Sequence, residues 1–94
     1  MPTIRDMSAL PDRITYLRAC PDEPPSYAAI ARAAGLSQSA VAQAATGLRK
    51  APTMRTLMGL ASAFKAPLGW VASGHGPRPS KALVRAAVAA WRAA

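Results

Sequence analysis

Residues 26–47, SYAAIARAAGLSQSAVAQAATG, leave the chain little freedom of arrangement. Two runs of helix-forming composition, YAAIARAA and QSAVAQAAT, are separated by Gly35, Leu36 and Ser37 alone. Gly35 supplies the left-handed backbone that ends a helix, and Ser37 is a natural N-cap for the next one. Ser26 caps the first run in the same way, and Gly47 closes the second. A turn this short sets its two helices at a steep angle. Ala31 and Ala34 let them approach closely, while Ile30, Leu36 and Val41 are spaced to plug the junction. The outer side of the second helix then carries Gln38, Ser39, Ala42, Gln43 and Thr46.

The rest of the chain agrees with a helical reading. Of its 94 residues, 23 are Ala, the best helix former and a poor strand former. The pattern predicts a first helix capped by Asp12 and running to about Ala19, with Ile14 and Leu17 as its larger apolar residues. CPDEPPS breaks the chain after it, because prolines cannot continue a helix. Pro52 and Thr53 start a fourth helix, MRTLMGLASAF, in which Leu57, Leu60, Ala61 and Phe64 recur at helical spacing and mark a buried face. Pro67 opens a short fifth helix with Leu68, Trp70 and Val71, and Trp70 is expected in the core. SGHGPRPS reads as an irregular linker, followed by an Ala-rich helix from about Lys81 to Trp91. The fold class is therefore all-α: five helices plus an additional C-terminal helix. The expected divisions are an N-terminal arm at 1–11, a domain at 12–76, and a linker with its helix at 77–94.

Charge narrows the choice of partner. Lys and Arg number 12 against 4 Asp and Glu, a formal net charge of +8. From Pro24 onward there are nine Lys and Arg and no acid. Such an imbalance attracts polyanions, whether DNA, RNA or a lipid surface. It also argues against catalysis, since no carboxylate pair and no acidic magnesium site can be assembled after Glu23. Cys20 and His75 are single residues of their kind, far apart and without an orienting acid. Cys20 reads as a packing residue, and His75 as structural and not as a metal ligand. No metal, cofactor or disulfide is expected. There is no apolar run of membrane-spanning length and no signal-peptide pattern, so a cytoplasmic location is expected.

The stretch YAAIARAAGLSQSAVAQAATG resembles the helix-turn-helix of the phage-repressor and Cro-like family. The likeness extends to DRITYLR as the family's first helix, to PTMRTLMGLASAF as its fourth, and to PLGWVASGHG as its closing segment. It covers residues 12–76. The resemblance implies a sequence-specific regulator of transcription, with a recognition helix at Ser37–Thr46 lying in the major groove of double-stranded DNA. It places base contacts at Gln38 and Ser39 and a further reading position at Gln43, with Thr46 beyond. Gln can pair at two points with adenine, and Ser or Thr can meet several bases. It implies phosphate contacts at Tyr27, Arg49 and Lys50. Ser37 and Arg55, at the starts of the third and fourth helices, complete the expected phosphate set. Two positions depart from the family pattern. Ala45 stands where many members carry a Glu that pairs with an Arg of the first helix, and Ala44 stands where they carry a large apolar residue.

A repressor acting by operator occupancy is the reading these features favour. The alternatives are an antitoxin-like or assembly adaptor whose main surface binds a protein, and a membrane-surface protein using the last helix. That helix places Val84, Ala87, Val88 and Trp91 on one face. The stripe must be buried, either against its own domain or against the same helix of a second subunit. Pairing is the expectation, because a two-fold operator requires two recognition helices one DNA turn apart.

Overall fold

A computed structural model describes residues 9–48 and 52–93. Its elements are α1 (Leu10–Ala19), α2 (Tyr27–Ala34), α3 (Gln38–Thr46), α4 (Met54–Phe64), α5 (Leu68–Ser73) and α6 (Lys81–Ala93). No strand occurs among the described residues.

α1 begins two residues before the expected Asp12 cap. Ala9 is its N-cap and makes no side-chain cap hydrogen bond. Pro11 occupies the first turn, where its missing N–H is no loss. Asp12 thus lies inside the first turn and Arg18 in the last, each with the sign that the helix dipole favours. Leu10 and Pro11 belong to the helix and not to an arm, and residues 1–8 lie outside the described residues.

The next three helices start by the same device. Ser26 Oγ accepts from Ala29 N at 3.1 Å and Ser37 Oγ from Ala40 N at 3.0 Å. Thr53 Oγ1 accepts from Thr56 N at 3.2 Å. Gly35 and Gly47 end α2 and α3 in the left-handed region, at φ 71° and 78°. At both positions a side chain would be strained.

One core joins all six helices. Ile14 and Leu17 of α1, Ile30 of α2, Val41 of α3, Leu60 and Phe64 of α4 and Trp70 of α5 are buried in it. Trp70 packs edge-on to Tyr16, with ring centroids 5.9 Å apart. α4 lies unusually close to the turn between α2 and α3. A Cβ built on Gly59 would sit 2.8 Å from the Ala34 carbonyl oxygen and 3.1 Å from Leu36 Cδ1.

The last helix corrects an expectation. Val84 and Val88 are 0% and 1% exposed within a single chain, and Ala87 is buried beside them. Both valines join the common core, and Trp91 packs against it. Polar contacts fix the same placement. Trp91 Nε1 donates to the Ala63 carbonyl at 2.9 Å and Tyr16 Oη to the Pro79 carbonyl at 2.7 Å. Arg85 pairs with Asp22 at 3.2 Å, and Arg92 Nη2 donates to the Glu23 carbonyl at 2.8 Å. The stripe of Val84, Ala87, Val88 and Trp91 is therefore not an open seam for a second subunit. Burying each valine is worth about 1.5–3 kcal/mol, and α4 offers that burial within the chain, with no second subunit needed. Residues 77–93 form part of the same folded unit as the five helices before them.

Candidate nucleic-acid interface

α3 is held from one side and presents the other. Val41 and Ala44 are its buried residues. Gln38, Ser39 and Thr46 are exposed, and Gln43 is half-buried. Gln43 Nε2 donates to Ser39 Oγ at 3.4 Å, so these two expected reading residues lie together one turn apart. Thr46 Oγ1 donates to the Ala42 carbonyl at 2.8 Å. That bond engages its hydroxyl proton and leaves its methyl group and oxygen lone pairs for a partner. Gln38, at the first helical position, makes no side-chain hydrogen bond among the described residues.

A cleft of about 290 Å³ joins the start of α3 to the start of α4, lined by Ser37, Ser39, Gln43, Ala44, Pro52 and Thr56. Ala44 is 2% exposed and contributes only a methyl group there. An adjoining cleft holds Ser37, Thr53 and Arg55. Expected base and phosphate residues from two helices thus converge on one surface. Arg55 is exposed, in the first turn of α4. Arg49 and Lys50 lie outside the described residues.

Tyr27 stands apart, at the first position of α2, and it is not alone. The Arg18 guanidinium carbon lies 4.8 Å over its ring, and Arg18 Nε donates to the Pro25 carbonyl at 2.9 Å. Arg18 keeps its two terminal nitrogens without a hydrogen bond among the described residues, next to the positive end of a helix. Sequence reasoning missed this residue. A lone Arg in the last turn of a helix reads as dipole compensation, and the only signal was its nearness to Tyr27 across a proline-rich break.

The Arg of α1 that lies deepest has a different role. Arg13 is 3% exposed and its Nε donates to the Val71 carbonyl at 3.0 Å. Burial pulls its pKa down and Asp12 pushes it back up. The guanidinium is thus anchored on the backbone of α5. Cys20 Sγ donates to the Tyr16 carbonyl at 3.2 Å, and burial pushes its thiol up, which suits a packing residue. His75 Nδ1 lies 3.2 Å from Ser73 Oγ. The described residues contain no cluster of three His, Cys, Asp or Glu that could hold a metal. No helix among them is long and apolar enough to cross a membrane.

Residues 26–71 match the family described as Helix-turn-helix, from the N-cap of α2 to the middle of α5. No curated protein and no solved structure matches the chain.

Proposed function

From the match of residues 26–71 to the helix-turn-helix family, and from the chain's resemblance to DNA-binding regulators of phage-repressor and Cro-like type, we propose that this chain reads a specific double-stranded operator and represses transcription by occupying it. The observation that carries the reading is the start of α3. Gln38 and Ser39 are exposed there beside the N-cap Ser37, on a helix whose short side chains fit a major groove. Gln38, Ser39, Gln43 and Thr46 are the proposed base readers. Tyr27, Ser37, Arg49, Lys50 and Arg55 are the proposed phosphate contacts, and Arg18 joins them beside Tyr27. No acid follows Glu23 in the sequence, so α2, α3 and α4 carry no carboxylate of their own to compete with phosphates for their basic residues.

A homodimer is the proposed working form, since two-fold operators are read by paired recognition helices. With the α6 stripe buried inside the chain, its contact lies elsewhere. Footprinting on the DNA flanking the chain's own gene, followed by gel shifts over a range of salt, tests the proposal. A dimer meeting about three to five phosphates per protomer gives a log–log salt slope of roughly −5 to −9. A slope near zero, or no protected site, overturns it.

A further inference from the structure

α6 and α2 enclose a groove of about 460 Å³ that the helix-turn-helix does not account for. Its lining is Ala29, Arg32 and Ala33 from α2 with Trp91 and Arg92 from α6. The apolar part is continuous: two methyl groups one helical turn apart face a half-buried indole. The indole is fixed by its hydrogen bond to Ala63. Two guanidinium groups border this surface and no acid lines it. Arg32 is exposed and makes no hydrogen bond or ion pair among the described residues.

A neighbouring cleft shows the contrast. It lies on the other side of Arg92 and is lined by Asp22 and Glu23 as well as Arg85. There the Arg85–Asp22 pair already balances charge within the chain. In the α2–α6 groove no carboxylate pairs with Arg32, and Arg92 meets only the Glu23 carbonyl. Nor is the groove part of the DNA-facing side of α2. Ala29 follows Tyr27 by two residues, a rotation of about 200° around a helix, so the two point to opposite sides.

We propose that the α2–α6 groove is a docking site for an acidic peptide segment of another protein, one that carries an aromatic or aliphatic side chain between its acids. The apolar side chain lies against Trp91, Ala29 and Ala33. The flanking carboxylates pair with the planar fork of Arg32, which suits carboxylate oxygens, and with the Arg92 nitrogens other than the Nη2 held by the Glu23 carbonyl. Charge complementarity selects this occupant over a second copy of the chain. A copy brings a further +8, and its exposed acids Asp22 and Glu23 belong to the balanced cleft. The site joins α6 to a helix of the helix-turn-helix, so a docked partner and a DNA target sit on two sides of α2.

The test uses the isotope-labelled full chain and the peptide acetyl-Glu-Glu-Phe-Glu-Glu-amide. Saturable shifts are expected at the Trp91 indole N–H and at the amides of Ala29, Arg32 and Ala33. Arg32→Glu is expected to weaken binding at least tenfold, and a peptide with Gly in place of Phe at least threefold. If Arg32→Glu loses helical circular dichroism, Arg32→Gln carries the same expectation with a smaller loss. Four results overturn the proposal: no saturable shift, shifts centred on Gln38, Gln43 and Arg55 instead, equal binding of the Gly peptide, or indifference to both Arg32 variants. A short DNA duplex that moves the same groove resonances also overturns it, because the groove would then be nucleic-acid surface. Operator binding is read separately, so loss of either proposal leaves the other standing.

Discussion

The indole N–H of Trp91 donates to the carbonyl of Ala63 at 2.9 Å, tying the last helix to α4 across 28 residues of sequence. The bond is only one part of the α6 interface, which also buries Val84 and Val88. Trp91→Phe is therefore expected to cost about 1 kcal/mol through the lost hydrogen bond. Trp91→Ala is expected to cost about 2–4 kcal/mol, short of the full range for a core Trp because the ring is half-buried. A chain ending at Ser80 is expected to lose cooperative thermal unfolding. Urea titration followed by circular dichroism checks all three, and a truncated chain of unchanged stability would detach α6 from the core.

Reading and anchoring residues should separate in a binding assay. Gln38→Ala is expected to cost about 1–3 kcal/mol on the cognate operator and little on random DNA. Arg55→Ala and Arg18→Ala are expected to weaken both targets alike, because phosphates carry no sequence information. Gel shifts on paired duplexes measure the difference. Equal losses for Gln38→Ala on both duplexes would remove it from the readers.

Alkali should loosen the packing between α1 and the chain leading into α6. Burial raises the Tyr16 phenol above its ordinary 10.0, reinforced by the Cys20 charge and opposed by Arg78, which lies over the ring. Burial likewise raises the Cys20 thiol above 9.0, opposed by Tyr16 and by the nearby Lys81, Arg78 and Arg85. Both groups bind their protons more tightly in the folded chain. Their contribution is complete below the ordinary values of 9.0 and 10.0 and falls as pH rises through the higher folded values. Ionised Tyr16 also loses the proton it donates to Pro79. Unfolding free energy measured from pH 8 to 11 should decline, and less steeply in Tyr16→Phe.

Gly59 tests the closeness of α4 to the helix-turn-helix. Its missing Cβ would stand 2.8 Å from a backbone oxygen, that of Ala34, which cannot rotate away. Gly59→Ala is expected to destabilise by about 1–3 kcal/mol despite the better helix propensity of Ala. A gain in melting temperature would show that α4 can retreat without cost.

The dimer proposed for operator binding needs an apolar contact other than the buried stripe of α6. Met54 and Met58 lie one turn apart on α4 and are 56% and 54% exposed. Met58→Glu is expected to yield a monomer in sedimentation with its helical content intact, and to lower operator affinity more than random-site affinity. A dimer that survives both Met58→Glu and Met54→Glu places the contact on another face.

The starts and ends of α2 and α3 were legible because their chemistry is local: Ser caps three residues before the amide it satisfies, and Gly alone fits the left-handed terminus. The start of α1 was not, since Pro11 reads as a breaker unless its tolerance in a first turn is weighed. The stripe on α6 was visible as a period, but a period does not name what covers it. The covering residues lie on α4 and on the α1–α2 connection, far away in sequence. Arg18 and Tyr27 met for the same reason, across a proline-rich segment that carries no period at all.

α3 is fastened at a few points: Val41 and Ala44 beneath it, Ser37 at its entrance and Gly47 at its exit. The fasteners are different residues from those that face outward. Gln38, Ser39 and Thr46 can be exchanged for other side chains without disturbing the packed interior. The helix is thus an interchangeable cassette. Under the proposed operator reading, a new target preference is written into it while the scaffold, and the proposed docking groove on the far side of α2, stays as it is.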